Sequence, residues 1–339
     1  MSLKYAAITA TFEALALSRL PGLVRVLSRS RGVIFTLHRV LPDMPAPFSP
    51  NAILQIRPDF LDAVLTRLGE LGIEIVSLDD ALTRLAEPAG RPFAVFTFDD
   101  GYRDNRDHAL PILWRHNAPF TLYVPTALVE GTGEIWWQAI EDIIARTDAL
   151  ILSPTETLPA ATLADKTRAY ATLYWRMRKM PEPDRIALMR ELATSYGYDL
   201  AAQCSSLVMN WTELAELAAD PLCTIGAHTV HHYELAKLPP DAAREEMARS
   251  ADIIEARLGK RPEHISYPIG GPVSAGEREF TLAGEIGFKS GVTTRPGGLY
   301  AESRLLALPR ISLNGLFQKS RYIDVFATGA IFSFLGRAA

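Results

Sequence analysis

A short apolar segment that ends in two adjacent aspartates constrains this chain of 339 residues more than any other feature. Phe93–Phe98 predicts a buried strand of a parallel sheet, because a strand covered on both faces is apolar along nearly its whole length. Asp99 and Asp100 follow directly. Two carboxylates at a buried strand end are costly to desolvate unless a cation lies beside them, so the segment predicts a metal ion there. Alone, the pair would equally fit an Asp-Gly turn with a helix N-cap.

A pair of histidines follows a second strand-like stretch, Leu222–Ile225. His228 and His232 are i and i+4, so they would share one face if the chain became helical after His228. Two imidazoles on one face, joined by a carboxylate from another segment, make a metal site with open positions for water and substrate. His231 would lie on a different helical face, and we do not expect it to bind the metal.

The two motifs, in this order and each after a strand, resemble those of the polysaccharide deacetylase family, whose shared unit is called the NodB homology domain. In this sequence they read Thr-Phe-Asp-Asp-Gly and His-Thr-x-x-His. The resemblance implies that Asp99 is the catalytic base. It also implies that Asp100, His228 and His232 bind a divalent metal ion. Zn²⁺ suits imidazole and carboxylate ligands, and Co²⁺, Ni²⁺ or Mn²⁺ would also fit.

Strand-like and helix-like segments alternate along most of the chain, which predicts an α/β fold with a parallel sheet and helices outside it. The resemblance narrows this to a distorted (β/α) barrel of the seven-stranded, NodB-like type. The barrel would span residues 31–315, between an N-terminal helical segment (1–30) and an apolar C-terminal tail (316–339). At about 130–220 the alternation breaks and the sequence looks almost wholly helical, so we expect a helical insertion there that forms a lid or an acceptor-binding surface.

The resemblance extends to a loop that stabilises the oxyanion in the family. Tyr267, Pro268 and Ile269 lie in a segment similar to the family's third motif, whose backbone N–H donates to the oxyanion. We assign this role to the Ile269 N–H. A plain turn at the proline and the two following glycines is the alternative.

Two roles common in the family lack their usual residues. The arginine that orients the base ordinarily precedes the third motif, where this chain has small or apolar residues. Arg310 resembles a late arginine of one branch and would pair with Asp99, with an exposed structural role as the alternative. No histidine follows His264 to act as the general acid. His38 resembles the Tyr-His of the same branch, with Leu37 replacing the tyrosine, and we take it as the candidate; a core or turn histidine is the alternative.

Trp136 and Trp137 begin the predicted insertion. Aromatic faces stack well on sugar rings, so these residues would suit a substrate-binding surface. Two tryptophans in an amphipathic helix are also typical of core packing, and both interpretations remain open.

Composition narrows the partners and the compartment. The formal net charge of −4 gives no general attraction to nucleic acid. Cys204 and Cys223 make no disulfide framework, which favours a reducing compartment such as the cytoplasm. Arg19, Arg25, Arg29 and Arg31 make a basic segment beside an apolar helix and would allow peripheral membrane contact through that helix; packing on the outside of the domain is the alternative.

These features together predict a metal-dependent hydrolase that removes an N-acyl group, such as acetyl, from an amino sugar. The substrate would be an oligosaccharide or polysaccharide, chitooligosaccharides included, or a lipid-linked glycan. Two alternatives stay open: hydrolysis of non-peptide C–N bonds in small nitrogenous molecules, and a degenerate barrel that binds glycans without turnover. No oligomeric state follows from the sequence.

Overall fold

Wholly buried apolar segments form the central strands in the computed structural model, which describes residues 3–18, 20–22, 30–88, 90–329 and 332. Every residue of β1 (Gly32–Leu37), β5 (Phe93–Phe98) and β6 (Phe120–Val124) is buried. The other strands are β2 (Arg39–Val40), β3 (Gln55–Ile56), β4 (Glu74–Ile75), β7 (Ala149–Ser153), β8 (Glu156–Pro159), β9 (Cys223–Ala227), β10 (His264–Ser266), β11 (Ser290–Val292) and β12 (Ile311–Ser312). The predicted strand before the two aspartates is therefore present.

Seven parallel strands follow one another in the order β11-β10-β9-β6-β5-β1-β12, and β4 pairs with the start of β5. The two ends of this order approach each other through Leu308, which precedes β12. Leu308 bridges Val292 of β11, and its N–H donates to the Gly291 carbonyl at 2.8 Å. The sheet is thus curled into the predicted distorted (β/α) barrel.

Helices surround the sheet and occupy most of the insertion. They are α1 (Leu3–Leu17), α2 (Pro58–Glu70), α3 (Leu78–Ala86), α4 (Leu110–Arg115), α5 (Thr126–Val129), α6 (Trp136–Ala145), α7 (Leu163–Lys179), α8 (Glu182–Ser195), α9 (Leu200–Leu207), α10 (Trp211–Ala218), α11 (Pro240–Leu258), α12 (Glu277–Ile286) and α13 (Ile323–Phe326). Pro58 opens α2, where a missing N–H costs nothing, and Phe60, Val64 and Leu68 bury one face of that helix at helical spacing. Such amphipathic faces hold the helices against the sheet.

The insertion is less helical than its sequence predicted. Besides α6 to α10 it contains an antiparallel hairpin, in which Leu150 of β7 pairs with Leu158 of β8. Pro154 and Thr155 form the turn between these strands, and a proline there favours a turn over a continuous helix. The prediction of an almost wholly helical insertion was therefore wrong at residues 149–159. The domain boundaries themselves stay predictions.

The N-terminal helix packs against the C-terminal segment. The Phe12 ring lies 4.8–5.8 Å, between ring centroids, from four aromatic rings near the C-terminus: Phe317, Tyr322, Phe326 and Phe332. Glu13 accepts hydrogen bonds from Lys319, Arg321 and Tyr322. None of the helices in the described ranges is both long enough and apolar enough to cross a bilayer. Arg19, Arg25 and Arg29 lie outside the described residues, and membrane contact stays a prediction.

Candidate active site

A tight turn at the end of β5 places the two aspartates inside the barrel rim. The Asp99 N–H donates to the Leu37 carbonyl at 2.9 Å and so continues the pairing of β5 with β1. Asp100 and Gly101 then take left-handed backbone angles, with φ of 74° and 68°. Aspartate tolerates this region better than most residues, and glycine adopts it freely. Both carboxylates are consequently buried, each with 2% of the residue exposed.

Arg310 binds Asp99 through both carboxylate oxygens. Its Nη1 and Nη2 lie 2.8 and 2.7 Å from Oδ1 and Oδ2. The remaining three N–H groups of Arg310 donate to Thr97 Oγ1, Ser266 Oγ and Thr293 O. All five donors of the guanidinium are thereby satisfied inside the barrel, so its orientation is fixed.

This ion pair sets the charge of Asp99. Burial alone would raise the pKa of the Asp99 carboxyl, but the Arg310 guanidinium more than offsets that effect and holds the pKa below its usual value. Asp99 is therefore ionised at neutral pH. The predicted contact between Arg310 and Asp99 is present, although Arg310 lies directly before β12 instead of after a strand.

His228 follows β9 and is oriented by a backbone carbonyl. Its Nδ1 lies 2.6 Å from the Ser266 carbonyl oxygen, which can only accept, so Nδ1 carries the proton and Nε2 presents its lone pair. Nε2 lies 3.5 Å from Asp100 Oδ1. Burial lowers the pKa of His228, whereas the neighbouring carboxylates of Asp100 and Asp99 raise it, and the net effect is upward.

The helix expected after His228 is absent, and this prediction was wrong. Residues 228–234 form an irregular loop in which Thr229 and His232 have φ of 63° and 59°. The N–H groups of Val230 and His231 donate to Glu246 Oε2 of α11, at 3.1 and 2.9 Å, rather than to helical carbonyls. Two features explain why the segment is a loop. The Glu246 side chain accepts N–H groups that a helix would use, and the β-branched Thr229 and Val230 disfavour a helix.

His232 nevertheless reaches the same point as His228. Its Nε2 lies 3.3 Å from Asp100 Oδ1. Burial lowers the pKa of His232 to about 4, more than the Asp100 carboxylate raises it, so the ring is neutral at neutral pH. A neutral imidazole is the form that binds a metal ion.

The three predicted ligands fit one divalent cation. One ligand atom from each of Asp100, His228 and His232 lies within 4.8 Å of the other two. Two ligands each ~2.1 Å from a metal at a tetrahedral angle are about 3.4 Å apart, which matches the two distances to Asp100 Oδ1. Oδ1 is buried and has no hydrogen-bond partner among the described residues. A buried carboxylate oxygen facing two imidazoles is expected where a cation binds.

The other predicted site residues lie on the same rim or beneath it. His38 follows β1, close enough for its charge to lower the pKa of both aspartates. Ile269 has a φ of 62°, rare for a β-branched residue, and its N–H donates to no acceptor in the described part of the chain. Tyr267 packs against Phe280 of α12, with ring centroids 5.2 Å apart, and its hydroxyl donates to the Leu306 carbonyl at 2.9 Å. Pro268 is buried beside it.

Both tryptophans are buried, with 4% of Trp136 and 7% of Trp137 exposed, which favours the packing interpretation. Trp137 also lines the site. Its ring centroid lies 4.9 Å from that of His232, and its Nε1–H donates to the Tyr102 hydroxyl at 3.2 Å. The two neighbouring tryptophans thus form part of the wall behind the histidine.

Ser266 belongs to the site but is not among the residues that the sequence predicted there. Its carbonyl orients His228, while its hydroxyl accepts from Arg310 at 2.9 Å and lies 3.3 Å from Asp99 Oδ2. The position of Ser266 at the end of β10, just before the loop that contains Pro268, is the sequence feature that could have indicated its place in the site.

The other histidines described below lie outside the Asp100–His228–His232 cluster. His231 is half-exposed and its Nδ1 lies 2.6 Å from Glu246 Oε1, so it faces away from Asp100, as expected. His264 begins β10 at the opposite end of the barrel, beside Ser290 Oγ. His108 lies in a π-helical turn, Asn105–Ala109, ahead of α4, and Pro111 supplies no N–H to the hydrogen bonds of a regular helix there.

A sequence model of the family described as Polysaccharide deacetylase matches residues 86–278, more than half of the chain. The chain belongs to the polysaccharide deacetylase family. The matched range contains both aspartates and both histidines of the site. The predicted family is thereby confirmed.

Another polysaccharide deacetylase relative matches part of the chain. YxkH of Bacillus subtilis (strain 168), named for that activity, is 32% identical over 91 residues, which make up 27% of this chain. The match spans 32% of that relative's length.

Two solved structures share the fold of this chain. Streptococcus pyogenes deacetylase PplD, in complex with acetate, has a TM-score of 0.57 at 21% identity, covering 85% of this chain and 94% of its own. IcaB from Ammonifex degensii has a TM-score of 0.56 at 18% identity, covering 87% and 97%. At these identities the likeness establishes the fold, and the predicted distorted (β/α) barrel is confirmed.

Proposed function

We propose that this protein is a metal-dependent hydrolase that removes an N-acyl group, acetyl in the simplest case, from an amino sugar of a glycan. The observation that carries the proposal is the pairing of two neighbouring aspartates with different partners. Asp100 faces two imidazole nitrogens, whereas Asp99 is held by Arg310. Family membership supports the same activity.

Asp100, His228 and His232 would hold the cation. When bound, the cation supplies Lewis-acid polarisation of the attacking water and of the amide carbonyl. Zn²⁺ is our first choice, because imidazole and carboxylate ligands suit it; Co²⁺, Ni²⁺ and Mn²⁺ are the alternatives.

Asp99 is proposed as the general base. It takes a proton from water as the water oxygen attacks the carbonyl carbon of the acyl group. The pKa of Asp99 lies below its usual value, so the carboxylate is free of protons before the reaction, and Arg310 keeps both oxygens in one orientation. The Ser266 hydroxyl accepts a further hydrogen bond from Arg310 at 2.9 Å.

Two further groups complete the reaction in this proposal. The free N–H of Ile269 donates to the oxyanion that forms on the carbonyl oxygen. His38, on the same rim, donates a proton to the sugar nitrogen as the C–N bond breaks. The products are a free carboxylate, acetate for an acetyl substrate, and an amino sugar.

Acetate release tests the proposal. Metal content is measured by elemental analysis, and acetate is measured with N-acetylglucosamine oligomers and lipid-linked glycans as substrates. The parent protein is expected to release acetate, and Asp99→Asn is expected to retain metal but lose the activity. Purified protein without bound metal, or full activity in Asp99→Asn, would remove this mechanism.

A further inference from the structure

The loop that carries the two histidines, residues 228–234, has a strained backbone. Thr229 and His232 both have positive φ angles, which are energetically unfavourable for residues other than glycine. The loop's own support is the hydrogen bond from the His232 N–H to Thr229 Oγ1, at 3.1 Å. A single hydrogen bond stabilises the folded chain too little to offset two residues with strained backbones. Neighbouring elements must therefore hold the loop.

The barrel holds the first half of this loop. The N–H groups of Val230 and His231 donate to Glu246 of α11, as described above. The Val230 carbonyl accepts from the Ala127 N–H of α5 at 2.9 Å. These bonds fix the chain up to the residue before His232.

The insertion holds the second half, beginning two residues after His232. Arg178 of α7 binds both oxygens of Glu234, with Nε–Oε1 and Nη2–Oε2 distances of 2.8 and 3.0 Å. The Glu234 N–H donates to Glu182 Oε1 of α8 at 3.1 Å. Glu234 and Glu182 are buried and Arg178 is nearly so, with 12% of its side chain exposed. A bidentate pair in such surroundings has a fixed geometry.

Aromatic contacts from the same insertion flank His232. Trp137 packs on its imidazole ring, and Arg185 lies 5.3 Å from the Trp136 ring centroid and 5.8 Å from that of Tyr233. Arg185 in turn donates to Glu182 at 2.7 Å. The insertion therefore contacts His232 from the side and anchors the chain immediately beyond it.

We propose that Arg178 is a positioning residue for His232. Arg178 contacts neither the cation site nor the reacting atoms. It acts through Glu234, which fixes the end of the strained loop and thereby the orientation of the His232 ring. The insertion would thereby tune metal affinity rather than serve only as the lid or acceptor surface expected from its sequence. This inference rests on the proposed function, because it assumes that His232 binds a metal ion.

Two substitutions on one helix test the proposal. Arg178→Met removes the anchor, yet Glu234 keeps Lys237 Nζ at 2.8 Å and Ser274 Oγ at 2.7 Å, so no buried charge is left unpaired and the fold should survive. Arg176→Met is the matched control: it lies two residues earlier on α7 and pairs with Glu156 of the hairpin, away from the histidine loop. Circular dichroism establishes that both variants are folded.

The readouts are zinc affinity, measured by competition with a chromogenic chelator, and the visible absorption of the Co²⁺-loaded proteins. Loss of an outer partner of a metal ligand commonly costs 10–100-fold in affinity. We expect at least about tenfold weaker zinc binding and an altered Co²⁺ spectrum in Arg178→Met, with Arg176→Met close to the parent. Arg178→Lys should restore part of the affinity, because lysine keeps a single contact.

The failures are distinguishable. If the parent protein binds no zinc, the proposed function fails and this inference fails with it. If the parent binds zinc and a folded Arg178→Met variant has the parental affinity and Co²⁺ spectrum, the positioning role alone is overturned. Equal losses in Arg176→Met and Arg178→Met would also overturn it, since a general weakening of the insertion would then explain both.

Discussion

The guanidinium of Arg310 grips both oxygens of Asp99 inside the barrel, although the two residues are 211 positions apart in the chain. The pair is completely buried, and every other donor of the arginine also has a partner. Asp100, the next residue, has no such partner and faces the two imidazoles instead. This difference between neighbouring carboxylates is the basis for proposing Asp99 as the base and Asp100 as a metal ligand.

Removing the arginine should be far more costly than breaking a similar exposed pair. Arg310→Met leaves Asp99 buried without its counter-ion, which typically destabilises a protein by about 3–5 kcal/mol. Arg67→Met is the control, because Arg67 also binds both oxygens of Asp324, through Nε and Nη2 at 2.8 and 2.9 Å, but is 39% exposed, and about 0–1 kcal/mol is expected. Urea unfolding measures both losses. Equal losses in the free energy of unfolding would show that burial does not increase the contribution of the Arg310–Asp99 pair to stability.

Ser266→Ala should weaken activity with a modest loss of stability. It leaves one N–H of Arg310 without an acceptor, which costs about 1–3 kcal/mol, and loosens the support of Asp99. Ser250→Ala is the matched control, since Ser250 is equally buried but donates only to Met247 in its own helix. Acetate release and urea unfolding are measured for both variants. If Ser266→Ala and Ser250→Ala behave alike, Ser266 has no role in the site.

Gly226, two residues before His228, should not tolerate a methyl group. A Cβ there would lie 2.4 Å from the Tyr123 ring, and a buried overlap of this kind costs about 1–3 kcal/mol. Gly69→Ala in α2 has open space and should stabilise the protein by about 0.5–1 kcal/mol, because alanine favours a helix. Thermal unfolding of the two variants tests both the expected destabilisation by Gly226→Ala and the expected stabilisation by Gly69→Ala. A neutral Gly226→Ala would mean that β9 can shift without cost.

Acid should remove the contribution of Glu213 to stability. Hydrogen bonding by Arg103 lowers the pKa of Glu213 to about 2, so its folded pKa lies below its unfolded one. The stabilisation is present in full above the unfolded pKa of about 4.3 and is lost as pH falls toward 2. Glu213→Gln should be about 1–2 kcal/mol less stable than the parent at pH 7, allowing for solvent screening, and the difference should vanish in acid.

The control for this pH dependence is Glu216→Gln. Glu216 lies on the same helix, is exposed, and forms no ion pair with any described residue. Its substitution should change stability little at any pH. A Glu213→Gln difference that stays constant from pH 7 to acid would contradict the assignment.

Local patterns predicted the barrel strands and the residues of the Asp100–His228–His232 cluster because each depends on neighbours in sequence. Phe93–Phe98 is apolar because both its faces are covered, and the two aspartates follow it in the chain. The spacing of His228 and His232 indicated a shared point even though the helix inferred between them is a loop. Glu246 accepts hydrogen bonds from the Val230 and His231 N–H groups, but it lies on a helix that follows later in the chain. No local sequence pattern predicts that contact.

Contacts between distant segments were the part that local patterns could not predict. Arg310 was assigned to Asp99 only through the family resemblance, and Ser266 was overlooked because a serine at a strand end has many uses. The anchor of Glu234 by Arg178 joins the insertion to the histidine loop, and nothing near either residue indicates it. Such pairings follow from the way the barrel and the insertion pack together.

Zinc titration of the metal-free protein, followed by calorimetry, tests the central claim most directly. Three proteins are compared: the parent, Asp100→Asn and Asp99→Asn. We predict one zinc ion per parent chain, binding weakened at least about 100-fold in Asp100→Asn, and near-parental affinity in Asp99→Asn. No zinc binding by the parent, or equal affinities in the two variants, would contradict the division of roles between the two aspartates.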